Sequence, residues 1–202
     1  MTDLVLVRHG ETDWNRAGRV QGRTDIPLNE TGREQARATA ERLTGTAFDA
    51  VAASPLSRAA ETARIIADGL GLGDVELVDD LVERDYGEAE GMTDTELDAR
   101  FGGNLGAQES RQETVDRVKP ALLELARRHP GQRVLVVSHG GVIGSLVRDT
   151  TRWAWPERGE RIENGSDHVF RVVDGELELV EFAGRPWSAD LLPPEDAVVA
   201  RD

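Results

Sequence analysis

The 202-residue chain contains no cysteine. Disulfides, thiolate metal sites and a thiol nucleophile are all excluded at once. It also lacks any apolar run near the roughly 20 residues that a membrane span requires, and its first residues lack the charged and apolar regions of a signal peptide. The expectation is a soluble, cytoplasmic protein. Positive charge is scarce: 24 Lys and Arg face 38 Asp and Glu, for a formal net charge of -14. Such a surface repels nucleic acid and anionic membranes, so neither is expected as a partner, and an anionic ligand needs a local cationic pocket held against the global field. Individual arginines near strand ends therefore carry information. Solenoid repeats and low-complexity segments are absent too, and the length suits one α/β domain with a sizeable core.

What is present is organised around Leu4-Val5-Leu6-Val7-Arg8-His9-Gly10. An apolar run fit for a strand buried on both faces stops at an arginine, a histidine and a glycine. The pattern returns where Val134-Leu135-Val136-Val137 runs into Ser138-His139-Gly140-Gly141. Open α/β sheets bind ligands beyond the carboxyl ends of such strands, which would bring both histidines to one crevice. Between them the sequence predicts a helix over 30–43 with Ala36, Ala40 and Leu43 inward, a strand over 49–53, a helix from Ser54-Pro55 to about Gly69 and a strand over 75–78. A short helix near 95–101 and a helix over 112–128, with Pro120 implying a kink or a late start, follow. The stretch from Gly102 to Ser110 is Gly-rich and reads as a loop over the crevice. A strand over 133–137, a helix over 142–148 and a hairpin around Asp174-Gly175 complete the reading. The fold class is thus α/β: three layers, a mostly parallel sheet of about six strands and an antiparallel edge. The domain is expected over 1–183, and 184–202, with Pro186, Pro193 and Pro194, as a poorly ordered or surface-hugging tail. Trp153 and Trp155 read as core or lid anchors.

The two histidines invite a metal, but Arg8 and Ser138 precede them without carboxylates at ligand spacing, and a fixed cation beside a cation site is unfavourable. Arg58 sharpens the point. With Ser54 as N-cap it falls in a first helical turn, where the dipole disfavours positive charge by a few tenths to about 1 kcal/mol. A bound anion reverses that sign, and helix N-termini and arginines both bind phosphate. Arg8, His9, Arg58 and His139 thus suggest a phosphate site with no metal and no cofactor. By residue type alone, a strand-end histidine is more often packed than catalytic. Glu83 is one of 38 acids, Asn15 and Gln21 are equally turn formers, and Tyr86 is equally a packing residue.

At this point the motifs carry a resemblance. Leu6-Val7-Arg8-His9-Gly10-Glu11-Thr12-Asp13-Trp14-Asn15 closely resembles the signature of the histidine phosphatase superfamily, which includes phosphoglycerate mutases and related phosphomonoesterases. Matching segments follow in the family's order: Gly18 to Gly22, Pro27 to Gly32, Ser54 to Thr62, Glu83 to Gly87 and Ser138 to Gly141. The resemblance implies that His9 is a nucleophile forming a phosphohistidine, that Arg8, Arg58 and His139 grip the phosphoryl oxygens, and that Glu83 moves the proton. It places Asn15 at the phosphate and Gln21 and Tyr86 beside the leaving group, with Gly22 and Gly140 among the residues that meet substrate.

Two departures shape the expected reaction. Cofactor-dependent mutases of the family carry a lysine where this chain has Asp94, and a long insertion with an arginine pair where it has only Gly102 to Glu113. Without those cations, hydrolysis of a small phosphorylated metabolite is expected over mutase activity, with a non-catalytic phosphate-binding module as the remaining alternative. The phosphatase branch often has a tryptophan where this chain has Ala89, so no substrate is carried over. An exposed edge strand and the tryptophans leave a homodimer open.

Overall fold

A computed structural model describes residues 1–102, 108–157, 159–188 and 190. In chain order the elements are β1 (Thr2–Arg8), α1 (Asp13–Arg16), α2 (Glu30–Leu43), β2 (Ala50–Ala53), α3 (Ser57–Leu70), β3 (Val75–Leu77), α4 (Asp94–Phe101), α5 (Arg111–Arg128), β4 (Arg133–Ser138), α6 (Gly140–Thr150), β5 (Asp167–Val173), β6 (Glu176–Phe182) and β7 (Arg185–Pro186).

The continuous apolar run of β1 is needed because both of its faces are covered. Leu4 and Leu6 turn into one cluster with Val118 and Leu122 of α5 and Ile143 and Leu146 of α6. Val5 and Val7 turn into a second cluster with Ala40 of α2 and Ala59, Ala63 and Ile66 of α3. Strand β4 lies parallel beside β1, with Val5 opposite Leu135 and Arg8 opposite Ser138, and its side chains divide in the same way. This period-2 alternation between two helical layers makes a three-layer sandwich. The sheet order is β3-β2-β4-β1-β5-β6-β7. β5 is antiparallel to β1 and β6 to β5, so five of the seven strands share one direction. The register of β1 on β4 sets His9 and His139 one residue beyond the same sheet edge.

Local chemistry explains most boundaries. Asn29 caps α2 by accepting from the Gly32 N–H at 2.9 Å. Ser110 and Glu113 form a capping box that starts α5 at Arg111, so the helix runs through Pro120 and the late start is not taken. Asp174 (φ 51°) and Gly175 (φ 85°) both adopt the left-handed conformation that a two-residue type I′ hairpin turn demands. Beyond Ala183 the chain adds β7 to β6, and the Trp187 N–H donates to the Val180 carbonyl at 2.8 Å. The ring of Trp187 packs tilted against Trp155 with centroids 4.9 Å apart, and Trp155 also meets Phe182 at 5.6 Å, so Trp155 is an anchor of the core. Residues 103–107 of the expected crevice loop, and 189 and 191–202 of the expected tail, lie outside the described residues. No described helix is long and apolar enough to cross a membrane.

Most boundaries fall within one or two residues of the sequence reading, but the start of α3 differs by more. Helix α3 begins at Ser57 with Leu56 as a cap that makes no side-chain bond, rather than at Ser54-Pro55. Asp25, from a distant loop, accepts from both the Ser57 N–H (2.8 Å) and its hydroxyl (2.7 Å), supplying the missing cap in trans. The loop after β1 is equally constrained. A Cβ on Gly10 would lie 2.3 Å from the Gly32 carbonyl oxygen, and one on Gly32 would lie 2.2 Å from the Glu11 carbonyl oxygen. The first turn of α2 and the segment after the nucleophile candidate thus touch backbone to backbone.

Candidate active site

The strand ends bring the two histidines together. The rings of His9 and His139 meet edge to face with centroids 5.1 Å apart, at 2% and 0% exposure. His9 Nδ1 lies 2.7 Å from the Gly10 carbonyl oxygen. A carbonyl can only accept, so a neutral imidazole must carry its proton on Nδ1 and keep its lone pair on Nε2. Burial, followed by the charges of Arg8 and Arg58, holds the His9 pKa well below that of a free histidine. The Gly10 N–H donates to Thr62 Oγ1 (3.1 Å) and Asn164 Nδ2 donates to the His9 carbonyl (2.8 Å), fixing the loop from both sides.

His139 is wired by a different donor. Its Nε2 lies 2.8 Å from Ser54 Oγ, which also accepts from the Leu56 N–H at 3.3 Å. In the tautomer in which that hydroxyl donates to Nε2, the ring proton sits on Nδ1; this atom is buried without a partner among the described residues. Burial first, then Arg58, holds this imidazole far below its ordinary pKa as well.

Arg58 is fully buried, and its guanidinium donates to the Thr24 (2.9 Å) and Gly22 (2.7 Å) carbonyls. Arg8 donates to the Ile162 carbonyl at 2.5 Å. Burial pushes both guanidiniums below the usual arginine range, and Arg8 Nε and Arg58 Nε are buried without partners among the described residues. Orphaned buried donors are costly, about 1–3 kcal/mol each. Three of them around one pair of imidazoles form an electropositive nest whose cost an oxyanion would offset. The same fixed cations oppose a metal between the two histidines, and no group of three His, Cys, Asp or Glu side chains that could hold an ion occurs among the described residues.

Glu83 is held at the N-terminus of α6. Its Oε1 accepts from the Arg84 (2.8 Å) and Val142 (3.1 Å) N–H groups, and Oε2 accepts from Gly141 N–H at 3.0 Å. Oε1 has both lone pairs engaged, so Oε2 is the atom with room for a proton. Tyr86 stands beside it, and its hydroxyl is pushed up to about 12, by burial first and by Glu83 second, so it stays protonated at neutral pH. A Cβ on Gly141 would lie 2.5 Å from Glu83 Oε1 and 2.8 Å from the Tyr86 hydroxyl.

A pocket of about 360 Å³ opens over this floor, lined by Arg8, Asn15, Gln21, Gly22, Glu83, Tyr86 and Gly140 among the residues singled out from sequence. His9, Arg58 and His139 are buried and do not line it. Asn15 and Gln21 both reach the Thr12 hydroxyl, at 3.2 and 2.9 Å. Gly22 adopts φ 54° beside Glu90, whose carboxylate ties down the Arg23 and Thr24 N–H groups. Sequence reasoning missed Ser54 as the partner of His139, Thr62 and Asn164 behind the loop that follows β1, and the arginines 19, 111, 148 and 161 that also line the pocket. Arg111 alone gave a signal, since as the first residue of α5 it repeats the anomaly of Arg58.

The family model of the histidine phosphatase superfamily (branch 1) matches residues 4–184. An uncharacterized phosphatase, PhoE, of Bacillus subtilis is 40% identical, covering 93% of this chain and 92% of its own. A metal-independent phosphoserine phosphatase of Arabidopsis thaliana is 41% identical, covering 96% and 90%. The solved structure of Bacillus stearothermophilus YhfR superposes with a TM-score of 0.82 at 28% identity, over 92% of this chain and 98% of that one. Relatives named phosphoglycerate mutases match as well. Sequence motifs, sheet topology and near-complete coverage agree, and the chain belongs to the histidine phosphatase superfamily and is an enzyme of that family.

Proposed function

We propose that the chain is a metal-independent phosphomonoester hydrolase that works through a phosphohistidine at His9. The observation that carries this reading is the orientation of His9: Nδ1 is committed to the Gly10 carbonyl, which leaves Nε2 as a neutral nucleophile between two buried guanidiniums. In the first step Nε2 attacks phosphorus and the ester oxygen leaves. Arg8, Arg58 and the Nδ1–H of His139 stabilise the charge that spreads over the equatorial oxygens. Glu83, protonated on Oε2, gives its proton to the leaving oxygen, with the neutral Tyr86 hydroxyl beside it. In the second step Glu83 takes a proton from the water that attacks phosphohistidine, and inorganic phosphate and free His9 result. Water is the acceptor in this reading because Asp94, at the start of α4, stands where a mutase of the family has its lysine.

Support for hydrolysis rather than transfer also comes from the relatives named phosphatases. The test is a rapid-quench experiment with an aryl phosphate in excess EDTA. The expected outcome is full turnover with an acid-labile, base-stable adduct that His9→Ala abolishes together with turnover. Robust hydrolysis by His9→Ala, or loss of wild-type activity in the chelator, overturns the mechanism.

A further inference from the structure

Four neutral donors fill the Glu90 carboxylate. Its Oε1 accepts from the Arg23 (2.8 Å) and Tyr86 (3.3 Å) N–H groups, and Oε2 accepts from the Thr24 N–H (2.9 Å) and the Thr24 hydroxyl. Every acceptor position is thus engaged, which an ionised carboxylate allows and an amide does not. The Arg23 N–H and the Gly22 carbonyl are the two ends of one peptide unit, and that carbonyl accepts from Arg58 Nη2 at 2.7 Å. One peptide dipole therefore stands between a carboxylate and a buried guanidinium, and both charges polarise it in the same sense. Thr24 repeats the arrangement: its carbonyl accepts from Arg58 Nη1 at 2.9 Å while Glu90 holds its N–H and hydroxyl. Position 22 has no room for a side chain, since a Cβ there would lie 1.8 Å from Glu90 Oε1. Burial depresses the Arg58 pKa most, and the charges of Glu83, Asp25 and Glu90 oppose that shift.

We propose that Glu90 is a positioning residue for the phosphoryl grip: through the Gly22–Arg23 peptide and Thr24 it fixes where the Arg58 guanidinium points. Glu90 does not line the pocket, so its influence on a bound phosphoryl group passes through Arg58. The segment it holds seats the arginine at both ends. Its carbonyls at 22 and 24 take the guanidinium, and Asp25 caps the helix α3 that carries the Arg58 backbone. A guanidinium held at two planar contacts is pre-organised, so less freedom is lost when an anion arrives. Glu90→Gln keeps the shape of the side chain, removes its charge and turns an NH₂ group toward donors that cannot accept it. This proposal rests on the phosphatase reading, since it assigns the support of the group that grips the phosphoryl oxygens.

Orthovanadate binding, followed by calorimetry, reads the grip without turnover. Glu90→Gln is expected to weaken vanadate about 10- to 100-fold, the loss that follows when a charge-assisted contact is misplaced. A double-mutant cycle then separates positioning from general support of the fold. In an Arg58→Lys background, where the ammonium cannot hold the two carbonyls and the anion at once, Glu90→Gln should cost less than about threefold. In an Arg8→Lys background it should cost the full amount, because Arg8 is held by the Ile162 carbonyl instead. Thr24→Val, which removes only the hydroxyl on Oε2, keeps the test open if Glu90→Gln does not fold. It should cost about threefold alone and nothing beside Arg58→Lys. Unchanged vanadate affinity in the folded variant, or equal losses beside Arg58→Lys and Arg8→Lys, overturns the proposal. Intact coupling to Arg58 together with no phosphate release from any ester overturns the hydrolase reading and leaves the positioning role standing.

Discussion

Replacing Gly141 with alanine sets helix stability against proton transfer in a single methyl group. Alanine is favoured over glycine in a helix by up to about 1 kcal/mol, so α6 should be no less stable. The new Cβ, however, would stand 2.5 Å from Glu83 Oε1 and 2.8 Å from the Tyr86 hydroxyl, distances that real Cβ atoms essentially never show. To reach ordinary contact near 3.5 Å the carboxylate must withdraw by roughly 1 Å, a displacement that costs on the order of 100-fold when it misaligns a reacting group. Since a positioned general acid contributes about 10²- to 10⁴-fold, the variant should lose about 100-fold in kcat/KM on an alkyl phosphate, whose alkoxide needs that proton. A p-nitrophenyl ester, which leaves without protonation, should lose less than about tenfold. Thermal unfolding and stopped-flow kinetics on both esters read the two effects. Equal losses on the two esters, or no loss on either, would refute the assignment of the proton to Glu83.

Arg58→Lys should weaken phosphate or vanadate binding by about 10- to 100-fold, because an ammonium cannot hold the Gly22 and Thr24 carbonyls and the anion at once; unchanged affinity by calorimetry would argue against the nest. Ser54→Ala removes the 2.8 Å partner of His139 Nε2 and should lower kcat about tenfold with the fold intact, as circular dichroism and steady-state rates would show. Burial on β5 pushes His168, whose Nδ1 has no partner among the described residues, down to about 4 from the ordinary 6.5 of an unfolded chain. Its depressed pKa means that the unfolded chain takes up the proton first. Stability should therefore fall as pH drops from 6.5 towards 4, by about 3 kcal/mol from this group, since each pKa unit is about 1.4 kcal/mol. Denaturant midpoints of His168→Leu should show a shallower pH dependence than wild type, and parallel curves would exclude that role.

Much of this molecule was legible because local signals and long-range packing agree. Helix α2 was read at both ends, since Asn29 is a strong cap and its apolar face has clean one-turn spacing. The Asp174-Gly175 hairpin was equally plain. The start of α3 was misplaced because its cap, Asp25, is 32 residues away, and Ser54, which has the right chemistry for a local cap, spends its hydroxyl on His139. The two residues of β7 are too few for periodicity to register. At the site, Arg8, His9, Arg58 and His139 stood out because each is anomalous where it sits in sequence. Arg148 and Arg161 did not, because each is ordinary on its own element and only tertiary structure brings them to one opening.

The backbone contact between Gly10 and Gly32 sets limits on how this enzyme can change. Neither position accepts a side chain, and enlarging one cannot be compensated at the other, because each Cβ would collide with main chain rather than with a side chain that could shrink. The loop after β1 is thereby locked to α2 as a fixed chassis, and a substitution at either glycine cannot re-aim His9 by a small step. Heritable variation in substrate choice is driven outward, to arginines on α5 and α6 that reach the opening without supporting its floor. A laboratory library that spares residues 8–12 and 29–32 and randomises 111, 148 and 161 would search new leaving groups while keeping the phosphoryl chemistry constant.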